Sequence, residues 1–306
     1  MMTAAGRTLP ATTVGRRRRA RPLPHYIGRG VIYLLVMVGG AVSMVPFAWA
    51  FLSSGKAANE IVAFPPTFWP ENNLFAENYR QIWIEAPFLL WIRNSAIITS
   101  LTLIGAIASA SVVAYAFARF EFPGRNAWFF LMLSTMMLPG EVTLIPSYLI
   151  FKTLGWVDTF KPLIVPHWFG GGAFNIFLLR QFYMTIPRDL DEAAEIDGAS
   201  PLTVFVRVLL PLTKPAIATA AALGFIGSWN NFMGPLIYLN DPDKFTAVLG
   251  LRYIMQGTTS VQLSAGPPKD NLLMAASIVV ALPCLILFFV AQKYFVQGIV
   301  TTGLKG

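Results

Sequence analysis

The sequence predicts an all-α integral membrane protein with six transmembrane helices and with its N-terminus and C-terminus both cytoplasmic. Three observations carry this prediction. Of the 306 residues, 55% are hydrophobic and only 12% are charged, about half the charged share usual in a soluble domain. Six stretches reach the about 20 mostly apolar residues that a crossing helix needs. They run roughly over 31–53, 94–117, 127–151, 162–182, 212–236 and 272–292. Lysines and arginines then divide unevenly between the segments joining them.

With the N-terminus inside, the cytoplasmic segments hold seven arginines before residue 30, then Arg119, Arg125, Arg180, Arg188, Arg207, Lys214, Lys293 and Lys305, which makes 15. The outer segments hold Lys56, Arg80, Arg93, Lys152, Lys161, Lys244, Arg252 and Lys269, which makes 8. Positive charge is retained on the cytoplasmic side, so both termini face inward. The same distribution accounts for the net charge of +8. It points to membrane topology and to anionic lipid rather than to nucleic acid. The chain divides into a basic cytoplasmic tail over 1–29, a transmembrane domain over 30–297 and a cytoplasmic tail over 298–306.

Taken in order, the first span follows Arg16 to Arg19 and is longer than a signal-peptide core of about 7–15 residues, so it reads as a retained helix. Residues 54–93 form an outer loop. Within it Leu74 to Ile84 reads as a short interfacial helix, with Trp83 and Trp91 as anchors. Phe122-Pro123-Gly124-Arg125 is a tight inner turn. Pro139-Gly140 and Pro146 interrupt the third span, and such breaks need neighbours or water to satisfy the freed backbone. Gly170-Gly171-Gly172 in the fourth span allows close helix contact or local unwinding.

Between the fourth and fifth spans lies a strongly acidic stretch. Asp189, Asp191, Glu192, Glu195 and Asp197 put five carboxylates within nine residues. Helix formers run from Leu190 to Ile196, and Gly198 can end that helix in a left-handed cap. The early acids suit the positive end of the helix dipole. Ala193, Ala194 and Gly198 leave little bulk, so another surface can approach. From the residues alone, a solvated acidic loop and a docking helix both remain open.

Two further groups stand out inside the spans. Glu141 is a carboxylate well inside the third span, where an ionisable group costs about 2.5–3.5 kcal/mol on insertion scales. It reads either as a translocation-path residue or as a cap on the helix broken at Pro139. Trp229-Asn230-Asn231-Phe232 ends the fifth span. These aromatic and amide groups suit a sugar, and equally an interfacial belt with an interhelical amide contact; the structural reading is the simpler.

Several classes are excluded. No Gly-x-x-x-x-Gly-Lys-Ser/Thr loop exists, so the chain should bind no ATP in that way. No Ser/His/Asp cluster or His-Glu-x-x-His helix is present, so no catalysis by this chain is expected. One cysteine, Cys284, and two distant histidines, His25 and His167, offer no disulfide and no metal site. No cofactor of its own is expected.

The segment Glu192-Ala193-Ala194-x-x-Asp197-Gly198, with Phe205, Arg207, Leu210-Pro211-Leu212 and Pro215, closely resembles the cytoplasmic EAA signature of ABC-importer permeases. The resemblance continues through most of the chain from about residue 31. It includes Arg93-Asn94-Ser95, Tyr115 to Arg125, Met137-Leu138-Pro139, Leu144-Ile145-Pro146, Leu154-Gly155-Trp156, Phe177 to Phe182, Ile186-Pro187 and the end Gly303-Leu304-Lys305-Gly306. It is similar to the MalG-type permeases of carbohydrate importers in the bacterial or archaeal cytoplasmic membrane.

That resemblance implies a type I importer permease fold and a multi-pass subunit that moves a sugar or sugar-like solute. It implies a second homologous permease, two ATP-binding subunits that carry ATP and Mg, and an extracytoplasmic solute-binding protein. The stretch of about 188–200 would be the coupling helix. Glu192, Ala193, Ala194, Asp197, Gly198 and Pro211 would couple to the ATPase, which the tail at Gly303, Leu304 and Lys305 would touch. Thr258, Thr259, Ser260 and Gln262 would face the binding protein, while Glu141, Trp229, Asn230 and Asn231 are the translocation-path candidates. An ion-coupled secondary transporter and a membrane scaffold without an ATPase remain the competing readings. The first would show several intramembrane charges or an inverted repeat.

Overall fold

The computed structural model describes residues 23–255 and 270–303, and among them all regular structure is helical. The chain divides into two units, Met1–Trp49 and Ala50–Gly306. The first unit contains most of helix α1 (Leu23–Ser53), which begins six residues before the expected end of the basic tail at 29. Its side chains from 29 to 48 are exposed, and a helix apolar on every face suits lipid.

The second unit is built around α3 (Phe88–Arg119), a helix of 32 residues. At 1.5 Å per residue it is about 48 Å long, well beyond a hydrocarbon core of about 30 Å. One of its faces carries Gly105, Ala106, Ala110 and Ala114, so a neighbour can come close. That neighbour is α6 (Ala173–Thr185) with the residues before it. Gly170, Gly171 and Gly172 all take left-handed φ, from +63° to +99°, and unwind the chain between the 3-10 turn Val165–Trp168 and α6. A Cβ on Gly171 would meet the Ala106 carbonyl oxygen and Ala110.

Among the described residues, three helices, with α1 counted from Arg29, α3, and α10 (Asp270–Gly303) counted to Gln292, are long and apolar enough to cross a membrane, as is the glycine-broken run 161–185. Two more spans are bent. Helix α4 (Arg125–Ser134) and its 3-10 extension meet α5 (Gly140–Thr153) at 96°, at the Leu138-Pro139 break. Residues 201–212 meet α8 (Lys214–Trp229) at 74°. Pro211 and Pro215 have no N–H to continue the helical ladder there, and a five-residue π turn, Phe205–Leu209, precedes the bend. Taking each bent pair as one span gives six.

Two expectations are corrected. The fifth span does not run to 236: α8 stops at Trp229, and Met233–Tyr238 is a separate short helix. Trp91 is not an interfacial anchor but wholly buried. Its indole Nε1 donates to the Pro242 carbonyl at 2.8 Å, and its ring stands against Phe88, Phe245 and Tyr253. Gly250 in α9 (Ala247–Met255) leaves the room for it. Trp83, on α2 (Phe75–Glu85), is partly exposed.

The end of the unit around Trp91 is closed by a polar clamp. Asp158 has φ +59°, a left-handed conformation that Asp tolerates better than most residues. Its Oδ1 accepts from the backbone N–H of Asn240 at 3.0 Å and of Asp241 at 3.1 Å, and its Oδ2 pairs with Lys244 at 2.6 Å. The Lys244 hydrogen bond, aided by those backbone donors, holds the Asp158 carboxyl below its usual range. The Lys244 ammonium is raised by the same bond.

Two outcomes are expected. Gly171→Ala should cost about 1–3 kcal/mol, since the added carbon meets backbone that cannot move away cheaply; a lowered melting temperature in detergent checks this. Asp158 stabilises above its unfolded pKa of about 4 and that contribution is lost as pH falls through its depressed folded value. Lys244 contributes below its unfolded pKa of about 10.4 and that is lost as pH rises through its raised folded value. Amide exchange at Asn240 and Asp241, corrected for intrinsic rates, should therefore be slow at neutral pH and speed up as the pH is lowered from about 4 through the depressed Asp158 value. Asp158→Asn should remove most of that difference.

Candidate functional site

The acidic stretch forms helix α7 (Asp189–Ile196), with Asp189, Asp191 and Glu192 in its first turn. Its end is a Schellman cap. Gly198 sits at φ +81°, its N–H donates to the Glu195 carbonyl at 2.9 Å, and the Ala199 N–H donates to Ala194 at 2.9 Å. Glu192, Ala193, Glu195, Asp197 and Gly198 are exposed, and Ile196 is 87% exposed. Ala194 and Ala199 pack inward on a buried cluster that includes Tyr115, Tyr183, Val204, Phe205 and Leu209. Pro211 is exposed beyond the π turn.

Asp191 faces the other way from Glu192. Its Oδ2 lies 2.6 Å from Arg119 Nε, with the two side chains only 13% and 7% exposed. Burial pushes the Asp191 carboxyl above its usual range, against the opposing pull of Arg119. Arg119 Nη2 also donates to the Ile186 carbonyl at 3.1 Å. One turn back on α3, the Tyr115 hydroxyl donates to the Pro201 carbonyl at 3.0 Å, and its ring centroid lies 5.0 Å from that of Phe205. Ser200 caps the next turn, accepting from the Thr203 N–H at 3.3 Å.

A cavity of about 230 Å³ lies between α3, residues 161–168, α6 and α8. Thr99, Thr102, His167, Asn175, Ser228 and Asn231 give it a polar lining between apolar walls. Asn231 Oδ1 also accepts from the Gly234 N–H at 3.1 Å. Asn230 is turned to its own helix, donating to Ile226 at 2.9 Å, and approaches Cys284 Sγ at 3.7 Å. Trp229 is buried, with its Nε1 donating to the Val280 carbonyl at 3.0 Å, so it packs α8 on α10. Glu141 is exposed in the first turn of α5 and does not line the cavity. Gly303 is the last residue of α10, while Leu304, Lys305, Thr258, Thr259, Ser260 and Gln262 lie outside the described residues.

The structure therefore brings Asn231 to the cavity and leaves Trp229 and Glu141 away from it. Thr99, Thr102, His167, Asn175 and Ser228 were missed from sequence. The spacing of Ser95, Thr99 and Thr102, four and then three residues, marks one face of a helix and was the available signal. Among the described residues no cluster of His, Cys, Asp or Glu could hold a metal.

Residues 102–301 match the family described as binding-protein-dependent transport system inner membrane component. The chain belongs to that family. The permease is 32% identical over 274 residues to the sn-glycerol-3-phosphate transport system permease protein UgpE of Escherichia coli O1:K1 / APEC, covering 88% of this chain and 94% of the relative. The UgpE of Pectobacterium atrosepticum matches with the same identity and coverage. In fold it is similar to a chain of a bacterial ABC transporter that imports the acidic polysaccharide alginate. The TM-score is 0.77 at 22% identity, over 90% of this permease and 99% of that chain. A chain of the alginate transporter in complex with an alginate pentasaccharide-bound periplasmic protein gives a TM-score of 0.62 at 15% identity, covering 88% of this permease and 95% of that chain.

The permease is thus a multi-pass inner-membrane protein with the type I importer fold, and it serves a binding-protein-dependent system. It is the non-catalytic membrane subunit of its transporter; the ATPase is a separate subunit.

Gly198→Val should weaken the end of α7 by about 1–2 kcal/mol, because a side chain resists the left-handed cap. Faster amide exchange at Gly198→Val position 198 and at Ala199, with α3 unchanged, is the expected readout.

Proposed function

We propose that this permease forms one half of the translocation path of an ATP-driven importer for a sugar or sugar-like solute, and that α7 is its coupling helix. The observation that carries the reading is the combination at α7. The helix is capped and anchored from behind, yet it presents Glu192, Ala193 and a largely bare Ile196 to solvent. An acidic helix with small residues and one exposed apolar side chain suits a groove with basic and apolar walls. In the family it would dock on an ATPase subunit, with Glu192 meeting a basic residue and Ala193, Ala194 and Gly198 allowing the close fit. Asp197 and Pro211 shape the approach.

Both termini and α7 would then lie in the cytoplasm, in agreement with the distribution of lysine and arginine. A second homologous permease would complete the path. Two ATPase subunits would hold ATP and Mg, and an extracytoplasmic binding protein would deliver the solute near the loop that contains Thr258 to Gln262. The tail from Gly303 would reach the ATPase interface. ATP-driven closure of the two ATPases would draw the coupling helices together and tilt the bundle toward its outward-facing state.

The cargo class rests on the relatives, whose names cite glycerol-3-phosphate and alginate. The hydroxyl, amide and imidazole groups of the cavity suit the hydroxyl groups of such a solute. Asn231 is the path candidate that this favours over Asn230, Trp229 and Glu141.

Glu192→Lys is expected to abolish solute uptake while membrane insertion and expression stay normal. Uptake and solute-stimulated ATP hydrolysis at the unmutated level in the reconstituted transporter would remove the coupling assignment.

A further inference from the structure

The last two turns of α3 touch the chain before, within and after α7. Before it, Arg119 donates to the carbonyl of Ile186 at 3.1 Å. Within it, Arg119 pairs with Asp191 at 2.6 Å. After it, Tyr115 donates to Pro201 at 3.0 Å and its ring meets Phe205. A coupling helix that only needed to stay folded would require none of these. Its Schellman cap and its inward alanines already hold its ends and its rear face.

The ion pair is also a poor choice if stability alone were at issue. Both side chains are largely removed from solvent, and Asp191 Oδ1 is buried with no hydrogen-bond partner among the described residues. Desolvating two charges offsets much of their attraction, and an apolar pair of similar volume packs without that cost. Among the described residues Arg119 Nε has no hydrogen bond of regular geometry either, so what the 2.6 Å contact supplies is charge pairing at one place: it sets where the helix sits relative to its partner.

We propose that Arg119 is a positioning residue. Its pair with Asp191 joins α7 and the adjacent end of α3 into one rigid lever, so that a displacement imposed on α7 is delivered to the second span. This rests on the reading of α7 as the coupling helix. Because α3 continues from Arg119 past the cavity lined by Thr99 and Thr102, the lever leads from the docking face to the path.

The test uses the assembled transporter in proteoliposomes, with spin labels at Val112→Cys on α3 and Asp189→Cys on α7 in a Cys284→Ser background. Both labelled positions are exposed. In the otherwise unmutated protein, the distance between labels should be the same without nucleotide and with ATP trapped. In the Asp191→Asn variant the ATP-trapped distribution should broaden or split. That variant should keep its ATPase subunits, while solute moved per ATP hydrolysed falls about fivefold or more, the lower range of coupling between sites. Asp191→Glu, which keeps the charge, should restore most of the ratio.

A label distance that changes between states in the unmutated protein overturns the proposal, as does an unaltered transport ratio in Asp191→Asn. If Asp191→Asn fails to assemble, the label distance in the unmutated protein alone decides. Failure of the underlying reading is separable: coupled transport surviving in Glu192→Lys removes the coupling helix itself, whatever the label distance.

Discussion

The fold depends on α3 being longer than the membrane is thick. Its middle carries the small residues on which the glycine-broken segment before α6 closes, with Gly171 against the Ala106 carbonyl. Both ends are left free to bind protein rather than lipid, and both are rich in directed polar contacts. Near its start, Trp91 and Asn94 donate to the carbonyls of Pro242, Asp243 and Phe245, and Ser95 accepts from the Ala247 N–H. Near its finish, Tyr115 and Arg119 hold the chain around the acidic helix. One stiff element therefore connects the two ends of the second unit.

The irregular parts of the molecule are arranged about that element. The bends at Pro139 and at Thr213, the unwound glycines and the break after Trp229 all free backbone groups that lipid cannot satisfy. Several of them border the cavity or α3. Thr102 answers the Leu163 carbonyl, and Asn231 answers the Gly234 N–H. Broken helices that line a polar space are a common answer to moving a hydrated solute through an apolar slab. The permease thus combines a rigid axis with broken neighbours, which suits the two-state bundle of the proposed mechanism.

What could be read from sequence was mostly local or periodic. The six apolar stretches, the acidic helix and its Gly198 cap follow from composition and from residues within one or two turns. The long-range contacts were not legible. Trp91 looked like an interfacial tryptophan, because its partner Pro242 lies 151 residues away and leaves no trace in the nearby sequence. In the sequence Arg119 reads as a cytoplasmic charge within the resemblance from Tyr115 to Arg125, and Asp191 as one of five acids; nothing there pairs them, although the fold buries them against each other. The run Trp229-Asn230-Asn231 looked like one group, yet the end of α8 turns each side chain to a different partner. The cavity was half legible, through the spacing of Ser95, Thr99 and Thr102 along α3.

Under the proposed function, the exposed face of α7 is the surface that docks on an ATPase subunit. A photoreactive amino acid at position Ala193, activated in native membranes, tests that contact directly. The expected product is an adduct with a protein that carries a phosphate-binding loop, formed more strongly when the solute-loaded binding protein is present. An adduct with lipid alone, or with no ATP-binding protein under either condition, would contradict the assignment of α7 as the coupling helix.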